Sequence, residues 1–110
     1  METDKWQLQF KKGIIELMIM LIIKERAYYG YELTVALKDT MYLGLSDGAI
    51  YPILKRLEKS GWTYSYWDTP EEGLRRRYYQ LTEAGAAALE KRLEVFHYSA
   101  EMILSIKGGD

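Results

Sequence analysis

Three consecutive arginines, Arg75, Arg76 and Arg77, are the run of side chains in this sequence best suited to binding an anion. A guanidinium group donates hydrogen bonds in a planar fork that matches phosphate oxygens. Two further cations, Lys55 and Arg56, lie earlier in the chain within a pattern typical of a helix. Together these residues predict a surface that binds a phosphate backbone.

The net charge of −1 does not by itself indicate a nucleic-acid partner, so the distribution of charge along the chain matters more. Residues 55–77 contain six basic side chains against four acidic ones, whereas residues 83–110 contain three against five. The basic character is therefore local, and it coincides with the arginine run.

Catalysis has little support in the sequence. The absence of cysteine excludes disulfides and thiol chemistry. The only histidine, His97, lies in a helical pattern without a nucleophile or metal-ligand spacing around it. Glu71 and Glu72 fall in a predicted loop, where acids are usually solvated. We therefore expect no catalytic residues, no metal site and no cofactor.

The elements that position these residues follow from hydrophobic periodicity and turn signals. A chain of 110 residues has the size of one domain. The patterns predict a mainly α fold with a β-hairpin wing: helices at residues 6–25, 31–41, 46–60 and 83–106, and strands at residues 62–68 and 75–81 around a turn at residues 69–74.

The third helix is predicted to start at Ser46, whose hydroxyl can cap it, and to stop at Gly61. Pro52 conflicts with that start, because a proline inside a helix removes a hydrogen-bond donor and clashes with the preceding turn at a cost of about 3 kcal/mol. Either the regular helix begins nearer Gly48 or Ala49, or its first turn is distorted.

Short helices joined through Gly44 and followed by an arginine-bearing hairpin form the layout of a winged helix-turn-helix, with the third helix in the major groove of double-stranded DNA. The alternatives are a three-helix core with an ordinary solvated basic face, and a winged helix that binds another protein and not DNA. The predicted DNA-binding residues are Ser46, Asp47, Gly48, Ala49, Tyr51, Lys55, Arg56, Arg75, Arg76 and Arg77.

The last helix carries apolar residues at alternating spacings of three and four, which is a heptad seam. Such a seam packs against another helix, either from a second copy of the chain or from the first helix of its own chain, and both can hold together. The predicted dimer-interface residues are Ala86, Leu89, Leu93, Phe96, Ala100 and Ile103.

Three blocks of sequence resemble the PadR family of bacterial transcriptional regulators, in its short form with one C-terminal helix. The blocks are YGYEL at residues 29–33, SDGAIYPILKRLE at residues 46–58 and RRYYQLTEAG at residues 76–85. The resemblance implies a homodimeric repressor on a pseudo-palindromic operator, with residues 5–82 as the winged helix-turn-helix and residues 83–107 as the dimerisation helix. It also explains Pro52 as a usual feature of the recognition helix.

Phe96 would lie near Phe96 of a second copy across a two-fold axis, and two alternatives follow from the resemblance: a closed apolar contact with no ligand, or a gap in which a small aromatic effector stacks on Phe96 and releases the DNA. The sequence itself predicts a cytoplasmic protein. Its N-terminus lacks the features of a secretory signal, and the apolar stretch at residues 14–23 is too short to span a membrane.

Overall fold

The computed structural model of the chain describes residues 2–38, 48–71 and 73–108. Within these ranges the fold is mainly helical with a small antiparallel sheet, which confirms the predicted fold class. In chain order the elements are α1 (Glu2–Glu25), β1 (Tyr28–Tyr29), α2 (Gly30–Lys38), α3 (Ile50–Lys59), β2 (Thr63–Asp68), β3 (Arg76–Leu81) and α4 (Glu83–Lys107).

The sheet has the order β1-β3-β2, and both pairings are antiparallel. β2 and β3 form the predicted hairpin, in register from Thr63 opposite Leu81 to Asp68 opposite Arg76. β1 was not predicted, because residues 27–30 look like a break between two helices. Its two residues become a strand only through pairing with β3, which places Tyr28 opposite Tyr79.

The predicted start of the recognition helix at Ser46 is wrong. α3 begins at Ile50, and Ala49 occupies the N-cap position, where its methyl side chain cannot accept a hydrogen bond. Pro52 is then the third helical residue. The backbone N–H groups of the first turn have no acceptor within the helix, so a proline is tolerated there. The conflict raised by Pro52 is resolved by a later start.

Two predicted signals at the base of the hairpin are confirmed. Gly61 ends α3 with a φ of 78°, and the N–H groups of Gly61 and Trp62 donate to the carbonyls of Glu58 and Leu57, which is a Schellman motif. Thr82 caps α4, since its hydroxyl accepts from the Gly85 N–H at 2.9 Å. The same hydroxyl donates to the Gly61 carbonyl at 2.7 Å, which ties the end of α3 to the start of α4.

The remaining boundaries differ from the prediction by a few residues. α1 starts at Glu2 and not near residue 6, and α2 begins at Gly30. The predicted end of α2 near Met41 lies outside the described residues. Within the described residues, α2 extends to Lys38. The strands are each one residue shorter than predicted, and α4 extends one residue further.

The core lies where α1, α2, α3, the sheet and the first half of α4 meet. No helix in the described parts of the chain is both long and apolar enough to cross a membrane. The buried apolar residues are Ile15, Ile19, Met20, Ile23, Leu33, Leu37, Ile50, Leu54, Leu57, Tyr79 and Leu89.

Candidate nucleic-acid interface

The recognition helix α3 separates its apolar and polar sides as predicted. Ile50, Leu54 and Leu57 are buried against the core. Among the predicted contact residues, Gly48, Tyr51, Lys55 and Arg56 are exposed, and Ala49 is half-buried. Ser46 and Asp47 lie outside the described residues.

Tyr51 is held in place by a glycine of the neighbouring helix. Its side chain is 48% exposed. The ring nevertheless lies so close to Gly30, the first residue of α2, that a Cβ there would be 2.4 Å from the ring and from the hydroxyl. A Cβ at residue 30 would therefore require the exposed end of the Tyr51 side chain to move aside.

Arg56 contacts an acid on α1. Its Nη2 donates to the Glu16 carboxylate at 2.5 Å, and Arg92 of α4 donates to the other oxygen of the same carboxylate. The Glu16 side chain is only 12% exposed. Burial raises the pKa of this carboxyl, but the hydrogen bonds and charges of Arg56 and Arg92 outweigh it and leave the pKa below its usual value. Glu16 therefore joins α1, α3 and α4.

The wing arginines lie on both sides of the hairpin. Arg77 faces Glu58 of α3. The Arg75 guanidinium lies over the Trp67 ring at 4.5 Å, and Trp67 pairs directly with Arg77, so Arg75 is on the same side as Arg77. The Arg76 guanidinium lies over the Tyr29 ring at 4.4 Å, on the opposite side, because successive residues of a strand face opposite sides of the sheet.

Arg77 is bonded to α3 through β2. Its Nε donates to the Ser65 hydroxyl at 2.9 Å, and that hydroxyl donates to Glu58 at 2.8 Å. The Nη2 of Arg77 lies 3.5 Å from both oxygens of the Glu58 carboxylate.

A cleft of about 480 Å³ lies between α3 and the hairpin. Three cations and a single acid are among the residues that line it, so the cleft carries net positive charge and can attract a polyanion. The lining residues are Tyr51, Lys55, Glu58, Lys59, Arg77 and Tyr79.

The heptad seam of α4 divides into two parts. Leu89 is buried in the core of its own chain, and Leu93 packs against that core. Ala86 and Ala100 are half-buried. By contrast, Phe96 is 46% exposed and Ile103 is 65% exposed. The first half of the seam therefore packs within the chain, and the second half presents apolar surface.

An apolar groove lies between α1 and α4 at Phe96 and has a volume of about 520 Å³. Phe10 and Ile14 of α1 form one wall and Val95 and Phe96 of α4 form the other. Trp6 stacks on Phe10 with ring centroids 5.3 Å apart, and both rings are exposed.

Five residues of this region were not predicted from the sequence: Glu16, Gly30, Glu58, Ser65 and Arg92. Glu58 entered only the charge balance and Glu16 was not singled out, because the partners of both acids are distant in sequence. For Gly30 a signal was available, since it lies within the YGYEL block, but the block does not say which side chain covers the glycine.

Sequence comparison identifies the family. The pattern of the "Transcriptional regulator PadR-like family" matches residues 19–91, which include α2, α3 and the wing. This chain belongs to the PadR-like family. The resemblance seen in the three sequence blocks is thereby confirmed.

Solved structures of transcriptional regulators, among them two named PadR-like or PadR family, have the same fold over 86–93% of this chain. A PadR-like transcriptional regulator from Bacillus cereus is 29% identical, covers 93% of this chain and 99% of its own, and has a TM-score of 0.82. A Streptococcus transcriptional regulator is 27% identical, with coverages of 91% and 98% and a TM-score of 0.83. A PadR family regulator from Clostridium difficile is 28% identical, with coverages of 86% and 98% and a TM-score of 0.76. The winged-helix fold with a C-terminal helix is therefore the PadR fold.

Proposed function

We propose that this PadR-like regulator is a cytoplasmic homodimeric repressor that binds a pseudo-palindromic operator in double-stranded DNA. The observation that carries the proposal is the cleft between α3 and the wing, with Lys55, Lys59 and Arg77 on its walls. The recognition helix enters the major groove, and the wing contacts the adjacent phosphate backbone.

Side chains on α3 divide into two roles in this proposal. Tyr51 and Lys55 reach base edges or nearby phosphates from the exposed side of the helix, together with the backbone at Gly48 and Ala49. Arg56 is partly occupied by Glu16, so it holds the helix in position as well as adding positive charge.

Dimerisation is supported by the exposed apolar residues on α1 and on the second half of α4. A second copy of the chain would cover the parts of these helices that the core of one chain leaves exposed. A dimer presents two recognition helices to half-sites one DNA turn apart, roughly 34 Å. The exposed large apolar residues in the described parts of these helices are Trp6, Leu8, Phe10, Leu21, Val95, Phe96, Tyr98, Met102, Ile103, Leu104 and Ile106.

The apolar groove at Phe96 is the proposed binding site for a small aromatic effector. A flat apolar compound stacked on Phe96 would release the operator if it binds more tightly to a dimer in which the two recognition helices have a different spacing. The extent of release is set by the difference between its affinities for the two dimer states. Titration of planar aromatic compounds against the wild type and Phe96→Ala, following compound binding and operator release together, tests this role. Equal binding to both proteins, or binding without operator release, contradicts it.

Binding to random duplex DNA over a range of salt concentrations tests the core of the proposal. A protein that neutralises phosphates loses affinity steeply as salt rises, whereas a winged helix that serves only protein contacts shows no such dependence. Selection from a random duplex library then gives the operator, and a reporter gene downstream of that operator gives the sign of regulation. Failure to bind any duplex at low salt would favour the protein-interaction alternative.

A further inference from the structure

Glu58 connects the recognition helix to the wing through a short chain of hydrogen bonds. Its carboxylate accepts from the Ser65 hydroxyl on β2 at 2.8 Å, and the same hydroxyl accepts from Nε of Arg77 on β3 at 2.9 Å. Nη2 of Arg77 is 3.5 Å from each oxygen of the carboxylate. One carboxylate on α3 thus holds the guanidinium of a wing arginine.

The contact between Glu58 and Arg77 is weak enough to exchange. The two side chains are 35% and 43% exposed, so water screens the attraction between them. The 3.5 Å separations are long for charge-assisted hydrogen bonds. A phosphate entering the cleft would compete with Glu58 for the same N–H donors of Arg77.

Within the described parts of the chain, neither of the other two wing arginines is paired with a carboxylate. Arg75 and Arg76 lie over the rings of Trp67 and Tyr29. A guanidinium that rests on an aromatic ring keeps its N–H groups pointing outward from its edge, where they can bind phosphate. Arg77 differs because its donors already face an anion.

We propose that Glu58 restrains sequence-independent DNA binding by competing with phosphate for the N–H donors of Arg77. This inference rests on the proposed DNA-binding function. Of the side chains that line the cleft, Glu58 is the acid among three cations, and Arg77 is the cation whose donors face its carboxylate. The hydrogen bonds through Ser65 direct this effect at Arg77.

The test compares Glu58→Gln with Glu71→Gln on a random-sequence duplex. Both changes remove one negative charge from the same region, and Glu71 is exposed at the turn between the strands. At low salt, Glu58→Gln is expected to bind the duplex about 2- to 5-fold more tightly than Glu71→Gln. This ratio of dissociation constants corresponds to the free energy of one exposed ion pair. Its log-log salt dependence should steepen by about 0.9, the value for one added phosphate contact.

Two further variants assign the effect to Arg77. Ser65→Ala removes the bridging hydroxyl without changing charge and is expected to raise affinity in the same direction as Glu58→Gln. In an Arg77→Ala background, Glu58→Gln should bind no more tightly than Glu71→Gln, because the released group is missing. Equal affinities of Glu58→Gln and Glu71→Gln in the presence of Arg77, or a gain that persists without Arg77, would overturn the proposal.

Elution from phosphocellulose separates this proposal from the proposed function. Glu58→Gln should elute at higher salt than Glu71→Gln whether or not the protein binds duplex DNA, because the resin presents phosphate alone. Loss of duplex binding by the wild type would refute the DNA-binding proposal. Identical elution of the two variants would refute the role of Glu58.

Discussion

At the residue scale, Gly30 shows how one missing methyl group directs a side chain of the proposed interface. A Cβ at this position would lie 2.4 Å from the Tyr51 ring, so Gly30→Ala is expected to displace that ring and to weaken duplex binding. The ring is the exposed end of a flexible side chain, so the free energy of unfolding should change by only about 0.5 kcal/mol or less. Duplex affinity and urea unfolding measure the two effects. In a Tyr51→Ala background the loss of affinity caused by Gly30→Ala should disappear, and an undiminished loss there would contradict this role.

Glu16 makes stability depend on pH in a defined direction. Its pKa is below the usual value of 4.5 in the folded chain, because Arg56 and Arg92 outweigh the effect of burial. The ionised carboxylate therefore stabilises the fold at neutral pH, and this stabilisation is lost as pH falls from the usual pKa through the lower folded one.

Glu16→Gln should consequently lower the free energy of unfolding by about 1.5–3 kcal/mol at neutral pH, which is typical of hydrogen bonds to a charged group. The difference from the wild type should shrink as pH falls below 4.5 and through the lower pKa of the folded Glu16 carboxyl, because both side chains are then neutral. Urea unfolding over a series of acidic pH values measures this. A difference that stays constant with pH would show that the charge on Glu16 contributes nothing.

At the scale of single elements, the wing arginines are expected to contribute unequally to DNA binding. Replacing Arg75, Arg76 and Arg77 together by Ala should weaken binding to all sequences and flatten the salt dependence. Arg75→Ala and Arg76→Ala should each reduce the log-log slope by about 0.9, and Arg77→Ala by less, because Glu58 already engages Arg77. Gel-shift titrations at several salt concentrations measure the slopes. An unchanged slope in the triple variant would remove the wing from the interface.

The start of α4 depends on a close approach between Gly85 and the backbone of Trp62. A Cβ at Gly85 would lie 2.1 Å from the Trp62 carbonyl oxygen, which accepts a hydrogen bond from the Thr82 N–H. A backbone carbonyl cannot relieve this clash by changing rotamer, so Gly85→Ala should destabilise the fold by about 1–3 kcal/mol or more. Thermal unfolding measures the change. Gly13→Ala is the control: its Cβ would meet nothing within 4 Å, and it should stabilise α1 by up to about 1 kcal/mol.

The elements that the sequence predicted well are those whose signals are local. Gly61 and Thr82 mark helix ends through bonds to residues within one turn, so their roles could be read from residue type alone. β1 could not be predicted, because two residues form a strand only when β3 lies beside them. The ties of Glu16 and Glu58 to arginines were missed for the same reason, since those partners become neighbours only after folding.

At the scale of the whole molecule, a substitution in the exposed half of the α4 seam tests whether a second subunit packs there. Ile103→Glu places a charge on apolar surface that a partner would cover, so the variant should be monomeric and lose operator affinity. Ala87→Glu is the control, since Ala87 is exposed on the first half of α4 beside the charged residues Glu83, Glu90 and Lys91, outside the apolar surface. Sedimentation of both variants decides, and a stable Ile103→Glu dimer would exclude this surface. Leu93→Glu is less informative, because Leu93 also packs on the core of its own chain.

The hydrogen bonds at the base of the hairpin allow the length of its loop to vary. Thr82 bonds to Gly61 and to Trp62, so both ends of the hairpin are held by contacts that do not involve its tip. Lengthening a loop between fixed ends costs little, about 0.6 kcal/mol for each doubling of its length. The segment at residues 69–74 can therefore gain or lose residues while the helices keep their arrangement, and it offers a site for grafting a foreign peptide onto an unchanged scaffold.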